Sequence, residues 1–146
     1  MERCLPDTNC MVAALCAWHE HHGRAAGEIR RRLTAGESMV LAAPTLIETY
    51  SVLTRLPPPH RLSPRDALAL LDAYFLTADR ESVALTVDDY RQIVLNAPAR
   101  GIAGGRVYDA VVVACARAAN VSTLLTFIER EFQALVSQSI EVVVPR

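Results

Sequence analysis

The sequence contains no lysine, since all 15 of its basic residues are arginine. This absence excludes a P-loop nucleotide site, whose lysine contacts the phosphates. It also excludes Schiff-base catalysis and a receiver-type phosphorylation site, because both depend on a lysine. Arginine binds phosphate through paired hydrogen bonds, so an RNA partner remains open.

Long apolar runs are absent as well. No segment approaches the roughly 20 apolar residues needed to cross a membrane, and the start becomes polar too early for a signal peptide. The four cysteines include no CxxC pair, which favours buried thiols in a reducing compartment over a disulfide or metal role. We therefore expect a cytoplasmic protein with no membrane partner.

The composition fits a folded chain of ordinary size. A length of 146 residues is typical of one domain, and we expect residues 1–146 to form it. The apolar fraction is too high for a disordered chain. The net charge of −1 argues against a strongly basic nucleic-acid-binding surface, although it leaves room for local basic patches.

Short apolar strands alternate with helical segments along the chain. Strands are predicted before Asp7 and at residues 39–43, 82–85, 123–126 and 140–144. Helices are predicted at residues 10–18, 24–33, 45–56 and 107–119, and after the N-cap residues Ser63 and Thr86. This alternation predicts an α/β domain with a mostly parallel sheet.

Three acidic residues lie where a strand or loop leads into a predicted apolar helix. They are Asp7, Glu48 and Asp109. Functional groups of parallel sheets gather at the carboxyl ends of the strands, so these carboxylates can converge. Converging carboxylates repel one another unless a cation lies between them, and oxygen-only clusters suit Mg²⁺ or Mn²⁺. The pattern suggests a metal-dependent nuclease.

Each of these acids also has a structural explanation. Asp7 could cap the helix that follows it. Thr45 and Glu48 have the spacing of a capping box, which taken alone explains Glu48 better than catalysis does. Asp109 enters an almost wholly apolar helix, where a charge is unfavourable unless it is paired or metal-bound. The three acids together favour a catalytic role.

Two further groups of residues are weaker candidates. Glu129 and Glu131 follow the fourth strand and could be a fourth acid or a solvated surface. The histidines His19, His21 and His22 lack the spacing of an HExxH zinc motif. A polar junction between two helices explains the histidines better.

Four segments, in this order and spacing, resemble the PIN-domain family and especially VapC-type toxins. The segments are Asp7-Thr8-Asn9, residues 44–55, Tyr108-Asp109-Ala110 and residues 124–132. The resemblance implies a three-layer α/β/α sandwich and an Mg²⁺- or Mn²⁺-dependent endoribonuclease that hydrolyses RNA with a metal-activated water. It also implies a toxin that forms a homodimer and is inhibited by a cognate antitoxin.

The resemblance also assigns roles to the acids. Asp7 and Asp109 would ligate the metal, Glu48 would hold the attacking water or act as base, and Glu131 would complete the set. Glu131 is preferred to Glu129 from its position beside Phe132. The chain departs from the family at Ile128, where Asn or Asp is common, and at Glu131, where Asp is common.

Five other residues are candidates for positioning. Thr8, Asn9 and Thr126 could orient the first carboxylate or the water, and Arg106 and Arg130 could contact the RNA backbone. The alternative functions are a catalytically weak or inactive module that binds RNA or protein, a metal-dependent phosphatase and a DNA nuclease.

Overall fold

The computed structural model describes residues 2–146, which form one central sheet covered by helices on both faces. The five strands are β1 (Arg3–Pro6), β2 (Ser38–Ala42), β3 (Glu81–Val83), β4 (Thr123–Leu125) and β5 (Glu141–Val143). The helices in these residues are α1 (Thr8–Leu15), α2 (His22–Thr34), α3 (Ala43–Arg55), α4 (Pro64–Tyr74), α5 (Val87–Asn96), α6 (Arg106–Ala118) and α7 (Glu129–Gln133).

The strand order is β3-β2-β1-β4-β5, and all four neighbouring pairs are parallel. The prediction of an α/β fold with a mostly parallel sheet is confirmed. Pro6 of β1 is in register with Leu125 of β4, so Asp7 and Thr126 leave the sheet side by side. This edge, where the strands end, carries the candidate site.

The hydrophobic core has two parts, one on each face of the sheet. Neighbouring strand residues point to opposite faces, with Leu5, Val40 and Leu124 in one cluster and Cys4, Leu41 and Leu125 in the other. Burial of both faces explains why the strands read as unbroken apolar runs. All four cysteines are buried and free, as predicted.

The first helix ends earlier than the sequence predicts. The predicted helix reaches Trp18, but α1 ends at Leu15 because Cys16 has an extended backbone with φ −100° and ψ 104°. Trp18 therefore lies outside the helix, and 48% of it is exposed. The prediction that Trp18 lies on the apolar face of this helix is wrong.

The predicted capping box at Thr45 and Glu48 is also wrong. Helix α3 begins two residues earlier, with Ala42 as its N-cap and Pro44 in its first turn, where the missing proline N–H is harmless. Thr45 is inside the helix, and Glu48 is exposed in the second turn. The carboxylate of Glu48 is thus not used to begin the helix.

The predicted N-cap residues Ser63 and Thr86 are confirmed. Ser63 accepts a hydrogen bond from the Asp66 N–H, and Thr86 forms a capping box with Asp89. The short helix α7 was not predicted. In the part of the chain that the structure describes, no helix is both long and apolar enough to span a membrane.

Candidate active site

Asp7 occupies the junction between β1 and α1, at the carboxyl edge of the sheet. Its backbone N–H donates to the carbonyl of Leu125 at 2.8 Å, which joins the ends of β1 and β4. Although Asp7 is the N-cap residue, its side chain forms no capping hydrogen bond with α1. The residue is only 5% exposed, so its carboxylate is buried without serving as a helix cap.

Asn9 and Thr126 hold the Asp7 carboxylate. The Asn9 amide donates to Oδ2 of Asp7 at 2.8 Å and to the Thr126 hydroxyl at 3.1 Å. The Thr126 hydroxyl in turn donates to Oδ2 of Asp7 at 3.4 Å. The side-chain carbonyl of Asn9 accepts from the backbone N–H of Phe127 at 2.9 Å, and the Thr126 hydroxyl accepts from the backbone N–H of Ile128 at 3.1 Å. This network fixes one carboxylate oxygen.

Thr8 contributes a buried hydroxyl to the same place. Its Oγ1 has no hydrogen-bond partner among residues 2–146, and Thr8 lines the cavity beside Asp7. Buried polar atoms almost always have a partner, so an unpaired hydroxyl at a cavity wall is available to a water molecule or a ligand.

The three acids predicted from the sequence line one cavity of about 580 Å³. Glu48 reaches it from α3, and Asp109 reaches it from the first turn of α6. The pKa of Asp7 is raised to about 7, chiefly by burial and further by the charges of Asp109 and Glu48. The hydrogen bond from the Thr8 N–H lowers it and only partly offsets this rise. The negative charges of the three carboxylates therefore repel one another across the cavity.

Glu131 lies against Asp109, whereas Glu129 does not. The pKa of Asp109 is raised to about 6 by burial first, then by the charge of Glu131 and by a hydrogen bond shared with it. The carboxylate of Glu129 instead accepts from the Gln133 side chain at 3.2 Å along α7. The structure thus brings Glu131 to the cluster.

The two candidate arginines differ in position. Arg106 is half-buried, donates to the Glu131 carbonyl at 3.0 Å, and lowers the pKa of Asp109 through its charge. Its Nε–H is buried and has no partner among the described residues. Arg130 is exposed on α7, and neither arginine is among the residues that line the cavity.

The oxygen atoms of the site fit a divalent cation, although the acidic side chains are too far apart to form a complete ligand shell. Within residues 2–146, no three Asp, Glu, His or Cys side chains are close enough to hold an ion together. Mg²⁺, however, is usually bound by one or two carboxylates with water completing the shell. Asp7 and Asp109 are oxygen donors whose repulsion a cation would relieve, and the unpaired Thr8 hydroxyl adjoins them.

Aromatic rings form a second wall of the cavity, which the sequence analysis missed. Trp18, His19, His21 and Phe127 line it together with the acids. Trp18 stacks on His60 at 3.9 Å between ring centroids, and His21 stacks on Phe127 at 4.6 Å. The available signal was a lone tryptophan directly before the histidine run.

Comparison with known proteins gives the family. Residues 4–135 match the PIN domain. Ribonuclease VapC40 of Mycobacterium tuberculosis is 37% identical over 120 residues, which cover 82% of each chain. These matches bear out the resemblance found in the sequence.

Solved structures match the fold over nearly the whole chain. The sarcin-ricin loop cleaving toxin VapC20 of Mycobacterium tuberculosis superposes with a TM-score of 0.70 at 19% identity, covering 92% of this chain and 97% of the toxin. The toxin–antitoxin complex VapBC2 of Rickettsia felis, bound to a DNA fragment from its promoter, gives 0.69 at 15% identity and 99% coverage of both chains. The chain belongs to the PIN-domain family and has the fold of VapC toxins.

Proposed function

We propose that this protein is an endoribonuclease that depends on a divalent cation, Mg²⁺ or Mn²⁺, and acts as the toxin of a toxin–antitoxin pair. The observation that carries the proposal is the buried Asp7 carboxylate, held by Asn9 and Thr126 and facing the charges of Asp109 and Glu48. The 37% identity to a chain named Ribonuclease VapC40 supports RNA as the substrate.

In this proposal Asp7 and Asp109 hold the cation. When bound, it would lower the pKa of the attacking water and stabilise negative charge on the phosphate. Asn9 and Thr126 keep the Asp7 carboxylate in one orientation, and Glu131, which lies beside Asp109, would complete the set of oxygen ligands. The Thr8 hydroxyl offers a further oxygen beside Asp7.

Glu48 is the residue suited to accept the proton of the attacking water. It is exposed at the cavity and takes no part in the start of α3, so its carboxylate is available. The guanidinium charge of Arg106 acts on Asp109, so Arg106 is suited to contact a phosphate oxygen near the site. Arg130 would contact the RNA backbone farther out.

The reaction is tested by offering the purified protein RNA, single-stranded DNA and a small phosphate ester, each with Mg²⁺, Mn²⁺ or chelator. We expect cleavage of RNA alone, only with a divalent cation, and its loss in Asp109→Asn. Cleavage of DNA or the ester in preference to RNA would indicate the DNA nuclease or the phosphatase instead. RNA cleavage that is as fast in chelator as with Mg²⁺ or Mn²⁺ would refute the proposed dependence on a divalent cation.

A catalytically weak or inactive binding module is the second candidate. It is favoured by Ile128, which cannot ligate a metal, and by the lack of a ready-made three-ligand site among the described residues. The melting temperature distinguishes the two, because an ion that binds only the folded protein raises it. No increase with Mn²⁺, together with no cleavage of any RNA, would favour the binding module.

We further propose a cognate antitoxin as protein partner. One of the solved structures similar to this chain is VapBC2, a complex of a toxin with its antitoxin. The test is co-expression with the product of any small reading frame found directly upstream, followed by purification and RNA cleavage. Co-purification with loss of cleavage is expected, and cleavage that the candidate protein leaves unchanged would contradict this pairing.

A homodimer is proposed from the apolar surface made by α3, α5 and α6. Ile47 and Tyr108 are 74% and 68% exposed, and both line a cavity of about 760 Å³ together with Tyr90. Exposed apolar patches of this kind usually mark an interface. Tyr108→Arg should shift the protein from dimer to monomer in analytical ultracentrifugation, whereas Leu68→Arg on α4 should not.

A further inference from the structure

The rings beside the acids form two stacks. The rings of Trp18 and His60 are nearly parallel, with 17° between their planes, and those of His21 and Phe127 are inclined by 25°. His19 lies between the stacks, with its centroid 5.7 Å from that of Trp18 and 5.5 Å from that of His21. We call these five side chains the ring cluster.

The ring cluster comes from separate parts of the chain. Three of its members follow α1, His60 precedes α4, and Phe127 follows β4. Local sequence therefore does not require the rings to meet. One member, Phe127, is tied directly to the site because its N–H donates to Asn9, which holds Asp7.

The ring cluster remains accessible. Trp18 is 48% exposed even though His60 stacks on it, so much of its indole remains open to a ligand. Of the five, all but His60 line the same cavity as Asp7 and Asp109. A ligand placed on the rings would thus also lie beside the carboxylates.

The chemistry of the ring cluster fits a flat, uncharged aromatic group better than a phosphate. Burial lowers the pKa of His19, which favours the uncharged form of this ring. The Nδ1 atom of His19 accepts a hydrogen bond from the backbone N–H of His21 at 3.0 Å, which fixes the orientation of the His19 ring. Arg24 lies over the Phe127 ring at 5.5 Å and supplies a positive charge at the edge.

We propose that the ring cluster is a stacking site for an unpaired nucleobase of the RNA, with Trp18 as its main surface, next to the phosphodiester that is cleaved. The inference rests on the proposed ribonuclease function and adds a determinant of substrate choice to it. Unpaired bases stack on aromatic and histidine rings, whereas bases inside a duplex are not accessible to them. The site selects RNA that is single-stranded at the cleavage position.

The test uses the intrinsic fluorescence of Trp18, which is the only tryptophan in the chain. Mixed tRNA is titrated into the wild-type protein in chelator, where the RNA stays intact, and inorganic polyphosphate is titrated in parallel. Stacking of a base on the indole should quench its emission to saturation. Polyphosphate carries the charge without the bases and should leave the emission unchanged.

Variants separate stacking from a structural role. Trp18→Leu should weaken tRNA binding and raise KM for cleavage with Mn²⁺ by roughly 5- to 150-fold, the range for one stacked base. Trp18→Phe, which keeps a ring, should retain most of the affinity. The matched control is Tyr74→Leu, since Tyr74 is 56% exposed on α4 and lines a different cavity.

The outcomes distinguish the stacking site from the function on which it rests. If the wild type cleaves RNA while Trp18 emission is unchanged and KM of Trp18→Leu equals that of the wild type, the stacking site is refuted and the rings are scaffold or a protein contact. A lower melting temperature of Trp18→Leu with unchanged KM refutes the stacking site as well. If wild type neither binds nor cleaves RNA, both proposals fail.

Discussion

The side-chain amide of Asn9 lies 2.8 Å from the carboxylate oxygen of Asp7, in the turn where β1 leads into α1. The carbonyl of the same amide accepts the Phe127 N–H, 118 residues away in sequence. One side chain therefore couples the buried acid to the loop after β4. The position of Asp7 depends on a contact between distant parts of the chain.

Replacement of Asn9 tests this coupling. Asn9→Ala leaves the Phe127 N–H and the Asp7 carboxylate without their partner, so the free energy of unfolding should fall by about 1–3 kcal/mol. RNA cleavage should fall by roughly 10- to 100-fold, as when a residue that orients a metal ligand is lost. Urea denaturation and initial cleavage rates measure the two effects.

Ser63→Ala is the matched control for Asn9→Ala. It removes a helix cap that does not line the cavity and should lower stability by about 1 kcal/mol, with cleavage unchanged. If the two variants lose activity equally when compared at equal fraction folded, Asn9 has no positioning role.

The stability of the metal-free protein should decrease as the pH rises from about 4 to about 7. The pKa of Asp7 is raised from 3.8 to about 7, so in this range the folded protein binds a proton that the unfolded chain has released. The associated loss of unfolding free energy is on the order of 4 kcal/mol. Urea denaturation in chelator at several pH values measures it.

Asp7→Asn provides the comparison for the pH profile. Asparagine keeps an oxygen for the Asn9 amide and carries no charge, so most of the pH dependence in this range should disappear. Asp109, whose pKa is raised to about 6, should leave a smaller decrease. A profile identical to that of the wild type would mean that Asp7 is not the group responsible.

Glu131→Gln and Glu129→Gln form a matched pair on α7. Only Glu131 shares a hydrogen bond with Asp109, whereas Glu129 bonds along the helix. Cleavage by Glu131→Gln should fall roughly 10- to 100-fold, and Glu129→Gln should behave like wild type. The reverse ranking would assign the fourth acid to Glu129.

Glu48→Gln should lower kcat by roughly 10²- to 10⁴-fold, the contribution of a general base. The melting temperature should hardly change, because Glu48 is exposed and does not cap α3. Calorimetry and single-turnover cleavage provide the two measurements. A destabilised variant with normal kcat would restore a structural role for Glu48.

The strands and the acids were predictable because their signals are local. Strands buried on both faces read as apolar runs, and Ser63 and Thr86 have side chains that cap helices by themselves. Asp7 and Asp109 stood out because each acid borders an apolar element. Their meeting at one edge followed from the parallel sheet.

The remaining features depend on tertiary contacts. Nothing near Cys16 in the sequence indicates that α1 ends before Trp18, and the stack of Trp18 on His60 joins residues in different connections. Only the family resemblance favoured Glu131 over Glu129 in the sequence, whereas in the structure the contact of Glu131 with Asp109 favours it directly. Thr45 and Glu48 fit a capping pattern, but Pro44 allows the helix to begin earlier.

The central claim is that Asp7 belongs to a carboxylate site that uses a divalent cation to cleave RNA. The most direct measurement compares single-turnover cleavage of mixed tRNA and rRNA by wild type and Asp7→Asn, with Mn²⁺ and with chelator. The wild type should produce fragments only with Mn²⁺, and the folded variant should produce none. Undiminished cleavage by Asp7→Asn would contradict the claim.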